Sequence, residues 1–125
     1  MSVIDDKYAE LGGAAGFLGP AVTPEWQTPN GLGNYRHYQN GSIYHKASLP
    51  FACEVHGLIR QKWADLGWEN SFLGFPLTDE SDVIGAAGRT NSFEGGVIDH
   101  AVYRIAMGNS AAFQASHANA RALKT

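Results

Sequence analysis

A chain of 125 residues with 44% hydrophobic content can bury one modest core, so one compact domain is expected. Charged residues make up only 17%, and a formal net charge of −3 offers no basic field for steering onto phosphates, which argues against a nucleic-acid partner. The single cysteine, Cys53, rules out an internal disulfide framework and a Cys-rich zinc site, and reads as small core filler.

The first residues, Met1-Ser2-Val3-Ile4-Asp5-Asp6, show no basic region followed by an apolar stretch, and no run approaches the ~20 apolar residues of a membrane span. A chain so written either works inside the producing cell or is a domain of a longer exported protein. Ile4, Tyr8 and Leu11 then fall at i, i+4 and i+7, the spacing of one helix face. Gly12 follows where a helix closes in a left-handed residue, so a helix of about three turns is predicted. Gly12-Gly13-Ala14-Ala15-Gly16 is glycine rich, but it follows a helix, whereas a dinucleotide fingerprint follows a strand. Phe17-Leu18-Gly19-Pro20-Ala21-Val22-Thr23 groups apolar side chains around a glycine and a proline, which predicts a sharp turn pinned into the core.

Further along, Asn34 to Gln39 and Ser42 to His45 flank Asn40-Gly41, a strong two-residue signal for a type I′ hairpin. That turn pairs Gln39 with Ser42, Tyr38 with Ile43 and Arg36 with His45. By strand alternation Tyr38, Ile43, Arg36 and His45 share one face, and Tyr35, His37 and Tyr44 the other. The order then returns. Ile59, Trp63 and Leu66 precede Gly67; Phe72-Leu73-Gly74-Phe75-Pro76-Leu77-Thr78 follows; a second hairpin turns at Gly95-Gly96. In the tail from Ser110 to Lys124, Ala111, Ala112, Phe113, Ala115, Ala118, Ala120, Ala122 and Leu123 predict an alanine-rich helix, either a cap on the fold or a tether or oligomer contact.

Sliding the chain on itself by 55 positions gives 14 identities in 53 pairs without a gap, from Val3/Leu58 to Val55/Ser110. Chance would give about three or four. The expected organisation is therefore α+β: a helix, loop and hairpin repeat over 3–56, a second over 57–108, and a helix or tail over 109–125. Two units are few for repeats that bury their faces against neighbours, which makes self-association or a cap attractive.

The residues that carry this pattern resemble a known family. Leu73-Gly74-Phe75-Pro76, with Lys62-Trp63-Ala64-Asp65-Leu66-Gly67 before it and Glu94-Gly95-Gly96-Val97-Ile98 after it, is similar to the LGFP repeat of actinobacterial cell-wall and envelope proteins. The first copy fits through Lys7-Tyr8-Ala9-Glu10-Leu11-Gly12-Gly13 and Asn40-Gly41-Ser42-Ile43-Tyr44, with its proline one place early at Pro20. The resemblance covers about residues 3 to 108. It implies a non-catalytic module that holds proteins to cell-wall polysaccharide, a propeller-like arrangement of units, and an envelope or extracellular location.

Chemistry-bearing residues are sparse. There is no Gly-x-Ser-x-Gly, phosphate loop, His-Glu-x-x-His or cysteine pair, so no catalytic residue, metal or cofactor is assigned. His45 and His100 recur, as do Glu25 and Glu80, but a duplication carries structural groups as faithfully as functional ones. Each histidine is either a hydrogen-bonded hairpin residue or a ligand group, and Asp99, His100 and His56 remain acid–base suspects.

Binding chemistry is richer. Trp26, Tyr35, His37 and Tyr44 can form an aromatic platform for the apolar side of a sugar, with Asn34, Arg36, Gln39 and Asn40 adding hydrogen bonds. The same rings can instead cover an interface between units or copies. The second unit has Thr90, Ser92 and Asp99 at the matching positions, and Trp68 can belong to the core or to a surface. The candidate ligand-binding set is Trp26, Tyr35, Arg36, His37, Tyr44, His45, Trp68, Asp99 and His100. It points first to a module that binds a cell-wall polysaccharide or other surface glycan, second to an assembly module that self-associates, and third to a small lyase or isomerase.

Overall fold

The computed structural model describes residues 2–83, 88–100 and 120–124. The described residues are α+β, with two α-helices and two antiparallel sheets, and the chain divides into two compact units, Met1–Gly57 and Leu58–Thr125.

The first unit begins with helix α1 (Val3–Glu10). Ser2 caps it: its Oγ accepts the Asp5 amide at 3.0 Å and donates to Glu25 Oε1 at 2.6 Å, tying the helix start to the loop ahead of the sheet. The expected glycine stop is present, with Gly12 at φ +102°. After a short 3₁₀ turn come β1 (Trp26–Gln27), β2 (Gly33–Tyr38), β3 (Gly41–Lys46) and β4 (Cys53–His56), paired antiparallel in that order. Ile4, Leu18, Tyr38, Ile43 and Ala52 form the core, and Tyr8 packs on it with its ring stacked 4.4 Å from that of Tyr38.

The Phe17-Leu18-Gly19 loop lies along the tip of the β2–β3 hairpin. Leu18 is buried, Tyr8 Oη donates to the Gly19 carbonyl at 2.7 Å, and the Asn40 and Gln39 amides donate to the Leu18 and Pro20 carbonyls. The His37 amide donates to Thr23 Oγ1 at 3.1 Å. The Leu18, Gly19 and Pro20 carbonyls of the turn are thus taken up by the hairpin or the helix.

The second unit has α2 (Gly57–Leu66), closed by Gly67 at φ +118°, then a 3₁₀ turn, β5 (Ser81–Asp82), β6 (Arg89–Phe93), β7 (Gly96–His100) and β8 (Ala120–Lys124). Its strands also run antiparallel in chain order. Among the described residues, Ile59, Trp63, Leu73, Phe75, Phe93 and Ile98 are its buried apolar residues. Here Trp63 Nε1 donates to the Gly74 carbonyl at 3.1 Å, the Gly95 and Glu94 amides donate to the Leu73 and Phe75 carbonyls, and the Ser92 amide donates to Thr78 Oγ1. Each bond sits 55 positions after its counterpart in the first unit.

Three expectations are corrected. The hairpin register is shifted by two: Tyr38 pairs with Gly41, Arg36 with Ile43 and Asn34 with His45, so Gln39-Asn40 is the turn and Gly41 lies in the strand. Gly41 is needed for close packing rather than for a left-handed turn, because a Cβ there would meet Leu18 Cδ2 at 2.6 Å and the Val55 carbonyl at 2.7 Å. A shift of two leaves every side chain on its expected face. Next, each hairpin is the middle of a four-stranded sheet; β1 and β4, or β5 and β8, occupy edges that a bare hairpin would leave unpaired.

Last, residues 120–124 form β8 and not the expected alanine-rich helix, while 101–119 lie outside the described residues. Alanine's helix preference is a fraction of a kcal/mol per residue, and a strand edge offering a full ladder of backbone partners along β7 outweighs it.

One core group works against stability. The buried Tyr38 hydroxyl has no hydrogen-bond partner among the described residues, and burial pushes its pKa up to about 12. Position 93, its counterpart, is phenylalanine. Tyr38→Phe is expected to raise unfolding free energy by about 1 kcal/mol, read as a higher urea midpoint at unchanged slope.

Candidate functional site

The register of the first sheet sets four residues in one row across its strands: Trp26 beside Tyr35, Tyr35 beside Tyr44, and Tyr44 beside Cys53. His37 shares that face by alternation along β2. The rings meet. Trp26 and Tyr35 are 6.0 Å apart at 68°, Tyr35 and Tyr44 stack at 5.1 Å and 13°, and His37 lies 5.1 Å from Tyr35 and 6.5 Å from Tyr44. Their exposure is graded along the row. Trp26, on the short edge strand, is 46% exposed, Tyr35 and His37 are half-buried, and Tyr44 is only 3% exposed beside the buried Cys53.

The polar ends of these rings differ in what they do. His37 Nδ1 lies 2.6 Å from the buried Ser42 Oγ. Among the described residues, neither the Trp26 indole N–H nor the Tyr35 hydroxyl makes a hydrogen bond. The contrast lies with Tyr8 and Trp63, whose polar ends are spent on the Gly19 and Gly74 carbonyls.

The other candidates of the first unit lie on the opposite face. Arg36 donates from Nε to the Thr23 carbonyl at 2.6 Å and sits 3.8 Å from Asp5 Oδ1, stitching loop and helix to the sheet. Asn34 donates to Glu25 Oε2 and Asn40 to the Phe17 carbonyl, so each spends one hydrogen bond on the loop. His45 donates from Nε2 to the Leu49 carbonyl at 2.7 Å, which fixes that nitrogen as protonated and makes this histidine a hairpin-end brace. Of the first unit's six candidates, the structure brings together Trp26, Tyr35, His37 and Tyr44, and sets Arg36 and His45 apart.

In the second unit, Asp99 accepts from Thr90 Oγ1 at 2.7 Å across β6 and β7, and His100 is half-buried opposite Arg89. Trp68 stands at φ +58°, the left-handed region, at the position that Gly13 fills at φ +61° in the first unit. Its ring meets Trp63 edge-on at 5.5 Å and lies under the Arg60 guanidinium at 5.1 Å.

Two acidic groups escape the sequence reading. Glu54 is 3% exposed and accepts from His56 Nδ1 at 2.7 Å, with the Phe17 ring against the imidazole. The pair has a faint sequence signal, since residues two apart on a strand share a face. Glu69 is also buried, and burial raises its pKa above the ordinary carboxylate value, with its backbone amide offsetting part of that rise. A raised folded-state pKa contributes stability that is full below the unfolded value and lost as pH rises through the folded one. Unfolding free energy is therefore expected to fall as pH climbs from about 4. Glu69→Gln should flatten that slope and raise the unfolding free energy at neutral pH, as seen in urea titrations across pH.

Among the described residues, no group of three His, Cys, Asp or Glu is placed to hold a metal ion, and no helix is long and apolar enough to cross a membrane. No curated protein matches the chain. The model of the LGFP repeat family matches residues 18–71, a span that opens on Leu18-Gly19 and runs through the first sheet and α2 to just before Phe72.

Proposed function

We propose that the chain is a non-catalytic module of two LGFP repeats that binds a cell-wall polysaccharide through the aromatic face of its first sheet. The observation that carries this is the pair Trp26 and Tyr35: accessible rings whose polar ends have no partner among the described residues, the mixed apolar and hydrogen-bonding character that sugar recognition uses. The second copy is supported by the matching element order and by the four hydrogen bonds repeated 55 positions on. Those matched groups serve the scaffold, and the aromatic face is where the copies differ.

A pull-down on insoluble cell-wall polysaccharide tests the reading. The parent is expected to be retained and a Trp26→Ala/Tyr35→Phe double variant to pass through. An unretained parent, or equal retention of both, refutes it.

A second reading, a protein-binding or self-associating module, is favoured by one observation. Phe17 and Val22 in the first unit and Phe72 and Leu77 in the second stand exposed at matching positions, apolar surface repeated in both units. Light scattering after size exclusion separates the two: a multimer that Phe17→Ser/Phe72→Ser dissociates supports assembly.

A further inference from the structure

We infer, building on the glycan reading, that the first unit takes a single sugar ring, from a chain end or a soluble oligosaccharide, in a corner formed by Trp26 and Tyr35. It does not lie flat on an ordered polysaccharide surface. Flat binding asks for several exposed rings in one plane, since each stacks on the C–H face of a successive sugar. This face has no such plane. Trp26 and Tyr35 stand 68° apart, and Tyr35 and His37 stand 57° apart. The ring that runs nearly parallel to Tyr35, that of Tyr44 at 13°, is 3% exposed and stacks against Tyr35, covering one of its sides. One large ring is left open for stacking, that of Trp26, with Tyr35 at an angle beside it.

The two unused polar ends fit the same geometry. The indole N–H and the phenol hydroxyl, without partners among the described residues, belong to the same two rings that form the corner, with centres 6.0 Å apart. One stacked ring with two hydrogen bonds gives an affinity of about millimolar. Retention on a wall then depends on how many chain ends it offers.

The test uses the full chain on insoluble cell-wall polysaccharide, challenged with oligosaccharides released from the same wall by partial acid hydrolysis. Soluble fragments at about 10 mM are expected to displace the protein and to change its tryptophan emission. Trp26→Ala should weaken the fragment affinity at least about tenfold with an unchanged circular dichroism spectrum, and Tyr35→Phe several-fold. Should Trp26→Ala disturb the fold, Trp26→Phe, which keeps a stacking ring and removes the donor, gives the reading, with an intermediate loss expected. Retention that depends on Trp26 but resists the fragments overturns the corner and leaves the glycan reading in place. A parent that neither the wall retains nor the fragments perturb overturns both.

Discussion

Trp63→Ala is expected to bring the second unit to the edge of unfolding. Trp63 is fully buried, with Phe93 at 5.2 Å and Trp68 edge-on at 5.5 Å. Removing the ring leaves a cavity worth about 3–5 kcal/mol. It also strips the Gly74 carbonyl of the indole N–H, at a further cost of about 1 kcal/mol or more. Domains hold only about 5–15 kcal/mol in total, so the loss takes a large share of the margin.

A graded series separates volume from hydrogen bonding at this position. Trp63→Phe keeps much of the ring but cannot donate, and is expected to fall between the alanine variant and the parent. Trp63→Tyr can donate, as Tyr8 does to the Gly19 carbonyl at the matching place, and is expected to stand closest to the parent. Urea midpoints should rank Tyr above Phe above Ala. If Phe equals Tyr, the bond to Gly74 contributes nothing and packing alone explains the residue.

The same aromatic, Tyr8 or Trp63, shows what is legible in this sequence. Helix spacing and the stop at Gly12 or Gly67 are local, since they depend on turn geometry and on a glycine's freedom at positive φ, and both helices lie where the pattern puts them. Strand alternation is local too, which is why Tyr35, His37 and Tyr44 share a face as expected even though the turn was misplaced. What pairs with that face is not local. Nothing in Tyr44's neighbourhood along the chain distinguishes it from the far more exposed Trp26, and the difference comes from a central against an edge strand.

The same holds for the polar candidates. Asn34, Arg36 and Asn40 read as available groups, and each gives one donor to the loop from Phe17 to Glu25 that is laid against them. For residues 120–124, composition favours a helix, and only the open edge of β7 decides for a strand. Local rules thus place the helices and the faces, whereas burial and hydrogen-bond partners are decided by segments that lie 9, 13 or 23 residues away in the cases of Asn34, Arg36 and Asn40.

Gly41→Ala is the substitution that tests the register most sharply. If Gly41 were the second residue of a type I′ turn, its job would be to supply positive φ, and Gly41→Asn would be tolerated, because asparagine visits that region readily. In the structure Gly41 is a strand residue paired with Tyr38 on one side and His56 on the other. An added Cβ would meet Leu18 Cδ2, the Val55 carbonyl and His56 Cβ at 2.6, 2.7 and 3.0 Å, and the carbonyl, held in β4, cannot swing aside.

Alanine is therefore expected to cost about 2–3 kcal/mol, and asparagine, with more atoms in the same space, more than alanine. Gly31 provides the control. It has φ +74° and no atom nearer than Gln27 Nε2 at 3.9 Å, so Gly31→Ala should cost only the backbone strain of about 1–2 kcal/mol, and Gly31→Asn less than that. Opposite rank orders of Ala and Asn at the two glycines, read from urea midpoints, establish close packing at one and turn geometry at the other. Asparagine better tolerated than alanine at Gly41 would return the turn to Asn40-Gly41.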